Sequence, residues 1–148
     1  MTEKGRAYAE LKRFVGRWNT TGKILATDST PEVRISGTDT YAWLPGEFFL
    51  LHTVNVLAGD DRNETFEVIG YDTQLQKYTL QHYDNKGNSG FMYGTYQNGV
   101  WTYLGDTLRF KGGFKKDDQE FSGLWEQSSD GKNWKPFIEI QLRKIGSD

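Results

Sequence analysis

From Gly16 onward the chain alternates apolar and polar residues with a period of two, interrupted by turn residues roughly every ten positions. In Lys77–His82, Tyr78, Leu80 and His82 share one face, and Lys77, Thr79 and Gln81 the other. Leu108 and Phe110 repeat the pattern in Thr107–Lys111, and Phe114 continues that face past Gly112. By the same rule Phe66 and Val68 point inward from Glu64–Val68. Phe121 and Trp125 share a parity, and Ile138, Ile140 and Leu142 alternate with Glu139, Gln141 and Arg143. Side chains alternate across a strand, so this pattern predicts half-buried strands rather than helices.

Strands are expected over residues 17–27, 33–44, 47–57, 64–71, 77–84, 90–96, 100–104, 107–114, 120–127 and 135–143. Turn signals separate them, with Pro45-Gly46 and Asn98-Gly99 the clearest. Ahead of the strands, Ala7, Leu11, Phe14 and Val15 recur at helical spacing. They predict one short helix over residues 6–15, ended by Gly16 and capping one end of the sheet. Short links make successive strands antiparallel neighbours, and about ten of them tend to curl and close. The expected fold is all-β: an antiparallel up-and-down barrel over residues 17–143, within a single domain of residues 1–148. A β-sandwich is the alternative. Two stretches resist the pattern. Phe48 to Leu51 is apolar on both faces, which calls for cover by the helix or by a second copy in a homodimer. Trp101 and Tyr103 oppose Val100, Thr102 and Leu104, leaving the inner face open there.

Composition narrows the classes. Aromatic residues make up 15% of the chain against 36% hydrophobic overall, enough large rings to line a wide interior. A net charge of -2 with no basic run argues against nucleic acid. The absence of cysteine excludes disulfides, thiolate chemistry and Cys-bound zinc. Met1-Thr2-Glu3-Lys4 lacks an apolar signal core, and no apolar run is long enough for a membrane span, so a soluble cytoplasmic protein is expected.

The Gly16-Arg17-Trp18 opening of the first strand and Arg143 on the last resemble the calycin signature of lipocalins and their relatives. The resemblance implies an indole plugging one barrel end, with the arginine lying across it and bonding backbone carbonyls. Thr40-Tyr41-Ala42-Trp43-Leu44-Pro45-Gly46-Glu47-Phe48-Phe49-Leu50 resembles the Tyr-X-Trp-Leu-Pro-Gly-Gly-Phe-Phe hairpin of an uncharacterised bacterial calycin-like family, with Glu47 in place of the second glycine. Ile69-Gly70-Tyr71-Asp72, Asp84-Asn85-Lys86-Gly87 and Trp125 to Trp134 also fit it. That family implies a fold and no activity. A more distant similarity, to nitrobindin, implies haem. Its Gly-X-Trp-X-Gly-X-Gly start is met here by Gly16, Trp18 and Gly22, while Thr20 stands where another glycine belongs.

A small hydrophobic or amphipathic molecule is the expected guest of such a barrel. Tyr41, Trp43, Tyr78, Phe91, Tyr93, Phe110, Phe114 and Trp125 are the expected pocket lining, or else rings that fill the interior. His82 is the polar handle among them; His52 reads as structural. Asp84, on the same face as His82, makes a His–Asp pair conceivable, but it also heads a turn. A non-catalytic binder leads. The alternatives are an isomerase or hydratase using His82 as acid or base, and an interaction module with a filled barrel. No metal is expected, and haem is the one cofactor to test.

Overall fold

The structure, a computed structural model, describes residues 2–147. It is a closed barrel of ten antiparallel strands with one short N-terminal helix. The helix α1 spans Glu3–Lys12, and the Thr2 hydroxyl caps it by accepting the Gly5 N–H at 2.9 Å. The strands are β1 (Gly16–Ile24), β2 (Val33–Trp43), β3 (Leu50–Ala58), β4 (Asp61–Asp72), β5 (Lys77–Asp84), β6 (Ser89–Gln97), β7 (Val100–Leu104), β8 (Leu108–Lys115), β9 (Glu120–Gln127) and β10 (Lys135–Gly146). Each pairs with its sequence neighbours, and β1 closes on β10, so no edge is left unpaired. Asn98 and Gly99, with φ of 52° and 83°, make the tight turn between β6 and β7 that the dipeptide predicts. No helix among the described residues is long and apolar enough to cross a membrane.

One end of the barrel is solid. Ala7, Leu11 and Phe14, from α1 and the turn after it, enter that end and meet Trp18, Tyr41, Leu50, Tyr78, Trp101 and Phe121. Phe14 lies at the centre, its ring 4.8–5.1 Å from those of Tyr41, Trp101, Phe114 and Phe121. Trp18 is fully buried and donates its indole N–H to the Phe14 carbonyl at 2.8 Å. The Tyr78 hydroxyl donates to the Ala7 carbonyl at 2.8 Å. These two bonds satisfy the polar tips of two rings of the plug and hold the helix segment against it, while the buried indole N–H of Trp101 has no partner among the described residues.

The cation over Trp18 is not Arg143. On β10 Leu142 points inward, so Arg143 points out and is exposed, opposite Asn19. The next residue returns to the inner side: Lys144 pairs with Trp18 across the strands, and its ammonium stands 4.9 Å over the indole. The strand runs on to Gly146, which lets a residue beyond the expected strand end take this place. Arg13 flanks the same plug, 4.4 Å over Phe114 and paired with Asp118 at 2.8 Å.

The helix covers part of the doubly apolar stretch, as expected, and the rest of it is loop rather than strand. β3 begins at Leu50; Phe48 and Phe49 sit in the preceding loop, 53% and 48% exposed. Phe48 meets the Tyr8 ring of α1 edge-on, and Phe49 lies over Gly70, where any β-carbon would come within 2.8 Å of its ring. Glu47 takes φ 58°, a left-handed conformation that glycine adopts without strain.

Candidate functional site

Above the aromatic plug the barrel is hollow. A cavity of about 410 Å³ runs from the plug towards the other end, where Ile24, Ala58 and Phe137 line it. A barrel of about eight strands is just wide enough to be filled by its own side chains, and ten strands enclose more than that. Val54, Val56, Phe110, Trp125, Ile138 and Ile140 make apolar walls.

The layer of the cavity next to the plug is polar, and register assembles it. His52 on β3 stands directly opposite Tyr41 on one side and Glu67 on the other. Its ring stacks on Tyr41 at 4.0 Å between centroids and 7° between planes. Its Nδ1 lies 2.8 Å from Glu67 Oε1, and its Nε2 2.6 Å from Asp39 Oδ2. The Thr20 hydroxyl donates to the second oxygen of Asp39. Thr20, Asp39 and Glu67 are all buried. A carboxylate on each ring nitrogen makes both nitrogens donors, which is an imidazolium. The group runs in a line, carboxylate–imidazolium–carboxylate, and does not converge on a point as metal ligands do; no set of metal-binding side chains occurs among the described residues.

Burial by itself pushes the His52 pKa down, but the hydrogen bonds and charges of Asp39 and Glu67 outweigh it and hold the imidazole at about 9. A histidine raised in the folded state stabilises fully below its unfolded value, about 6.5, and loses that contribution as pH rises through the folded value. Unfolding free energy is therefore expected to fall by on the order of 3 kcal/mol between pH about 6.5 and pH above about 9. Urea melts across that window check it; a flat profile, or one that rises, contradicts the imidazolium.

Two phenols complete the layer. Burial, and then the nearby carboxylates, raise the pKa of Tyr41 and of Tyr103, so both keep their O–H. Both line the cavity, and among the described residues neither hydroxyl has a protein hydrogen-bond partner. Directly opposite Glu67 on β5, His82 also lines the cavity, its ring lying over Gly90, where a β-carbon would come within 2.6 Å. The Nδ1 of His82 is buried without a partner among the described residues. Asp84 does not supply one. Its Oδ1 accepts the backbone amides of Lys86 and Asn88 in the turn, at 2.9 Å each, and these bonds hold its carboxyl below the usual range.

Of the expected lining, Tyr41, His82, Phe110 and Trp125 face the cavity. Tyr78 and Phe114 belong to the plug, and Trp43 packs beside it on Tyr8, with ring centroids 6.2 Å apart. Phe91 and Tyr93 lie outside the barrel, 42% and 38% exposed and packed edge-to-face on each other at 4.8 Å. The inner side of β6 is Gly90, Met92 and Gly94 instead, because the His82 ring at Gly90, and the Leu80 side chain and Tyr103 ring at Gly94, occupy the space that larger side chains would need. β4 is reversed in the same way: Phe66 is 45% exposed, while Glu67 is buried inside. Asp39, His52, Glu67, Thr20 and Tyr103 are the site residues that pattern reading missed. The available signal was parity, since Asp39 shares a face with Ile35 and Tyr41, and His52 with Leu50, Val54 and Val56.

The fold is similar to that of the crystal structure of Rv2717c from M. tuberculosis, with a TM-score of 0.68 over 94% of this chain and 97% of that one, at 13% identity. No curated protein matches the sequence. Residues 3–144 match the family described as "Protein of unknown function (DUF1579)", and the chain belongs to that family.

Proposed function

We propose that the barrel binds one small, largely apolar molecule with a polar end, seated with that end on the Asp39–His52–Glu67 layer. The observation that carries this is the distribution of the cavity lining: mostly apolar walls, with Asn63 and Thr65 as polar exceptions, and the buried hydrogen-bonding groups Thr20, Asp39 and Glu67 collected beside the plug. A volume of about 410 Å³ falls within the range of small-molecule pockets, roughly 300–1,000 Å³. A lipocalin-like mode of holding a guest agrees with this shape, and a filled interaction module does not. The neutral dye N-phenyl-1-naphthylamine is expected to brighten saturably, at one molecule per chain. Val54→Trp, which places an indole in the cavity, is expected to abolish the brightening while leaving the far-ultraviolet circular dichroism intact. Unsaturable brightening, or brightening that survives Val54→Trp in a folded protein, contradicts the reading.

Acid–base chemistry at His82 is the second reading, supported by its unpartnered buried Nδ1. Haem fits this site poorly. One imidazole, His82, is left to hold an iron, since both ring nitrogens of His52 are bonded to carboxylates, but among the described residues no Lys or Arg lines the cavity to meet anionic substituents.

A further inference from the structure

The polar layer has a particular set of groups left over once its internal bonds are counted. Asp39 uses one oxygen on Thr20 and the other on His52. His52 uses both nitrogens. Glu67 uses Oε1, and its Oε2 has no protein partner among the described residues. Tyr41 and Tyr103 line the same cavity as Glu67, and among the described residues their hydroxyls have no protein partner either; Tyr41 is only 6% exposed. What remains for a guest is one carboxylate oxygen, which only accepts, two phenol oxygens, which accept as well as donate, and, across from Glu67, the unpartnered Nδ1 of His82. The charges point the same way. Asp39 and Glu67 are two carboxylates against one imidazolium, and the lining holds no lysine or arginine. A guest whose donors meet these oxygens is favoured over one that displaces water from them and pairs none of them.

From this set of unused acceptors, and resting on the reading of the cavity as a binding site, we infer that the guest is an apolar primary amine. Its ammonium carries three N–H donors for the three free oxygens, and its positive charge balances the layer. An alcohol of the same length offers one donor and no charge. A carboxylate places a second anion against Glu67 in a low-dielectric cavity and finds no cation to meet it. Fatty acids are therefore excluded from a barrel whose shape would otherwise admit them.

Octylamine, 1-octanol and octanoate, matched in chain length, separate the possibilities by displacement of bound N-phenyl-1-naphthylamine at neutral pH. Octylamine is expected to displace the dye most tightly, octanol roughly tenfold more weakly, and octanoate at least roughly a hundredfold more weakly. Glu67→Gln keeps a hydrogen-bonding oxygen for His52 and removes the charge; it should weaken octylamine by roughly tenfold and change octanol by less than about threefold. Tyr103→Phe, which leaves no orphaned charge, serves where Glu67→Gln does not fold; it should weaken octylamine severalfold and spare octanoate. Equal displacement by the three compounds, tighter octanoate, no displacement by any of them, or an octylamine affinity unchanged in the folded variants overturns the inference, while the dye still reports a binding cavity. A dye that never binds saturably defeats the cavity reading itself.

Discussion

His52→Ala is expected to destabilise the barrel by about 3–5 kcal/mol, one of the two largest single effects in the molecule. The methyl group fills little of the space the ring leaves, but the larger cost is electrostatic. Asp39 and Glu67 side chains are 8% and 10% exposed, and each spends an oxygen on the imidazolium. Without the ring, two like charges face each other across a buried gap with no partner between them. The stacked Tyr41 ring loses its neighbour too. Urea unfolding at neutral pH measures the effect, and its pH dependence identifies the cause. In wild type, stability falls as pH rises through about 9, where the imidazolium loses its proton. In His52→Ala the carboxylates repel each other, so acidification should recover part of the lost stability. A loss below about 1 kcal/mol, or the same pH profile in both proteins, contradicts the ionic account of this layer.

Trp18→Ala is expected to cost about 3–5 kcal/mol by a different mechanism, removal of a fully buried indole from a close-packed plug. The Phe14 carbonyl also loses the N–H that satisfies it, and Lys144 loses the ring beneath its ammonium. Trp18→Phe keeps much of the volume and loses the donor, so it should fall between the two. Because Phe14 joins the helix to the plug, the damage should reach α1. Amide exchange of residues 7–11 is expected to accelerate more than that of the strands at the open end. Uniform acceleration, or none, would mean that the indole does not anchor the helix.

The architecture was legible because it rests on what alternation reports most faithfully. β5, β7 and β9 have the bounds that their apolar periodicity and turn residues predict, and the tyrosine and leucine of Tyr78–Leu80 face inward as expected. The site was less legible because a hollow barrel breaks the rule that polar residues face out. On β4 the hydrophobic reading turns Phe66 inward. The structure turns Glu67 inward, since the cavity layer requires a carboxylate opposite His52, and leaves Phe66 on the surface. On β6 the same rule selects Phe91 and Tyr93 for the interior, while neighbouring side chains crowd the inner positions of Gly90 and Gly94. His52 reads as structural in sequence because it stands in an apolar strand. Its two carboxylate partners are 13 and 15 residues away along the chain, and only register brings them together. Arg143 shows the limit of a motif carried over by position: one step of strand parity gives its expected place to Lys144.

A guest is expected to enter the barrel and stop above the plug. The chain has two methionines, Met1 and Met92, and Met92 lines the cavity. A methyl-labelled methionine spectrum, recorded while octylamine or N-phenyl-1-naphthylamine is added, therefore reads the interior directly. The Met92 methyl resonance is expected to move saturably with the ring current or chain of the guest while the Met1 resonance stays in place. A Met92 resonance that does not move while the dye brightens would put the binding outside the barrel and contradict the account.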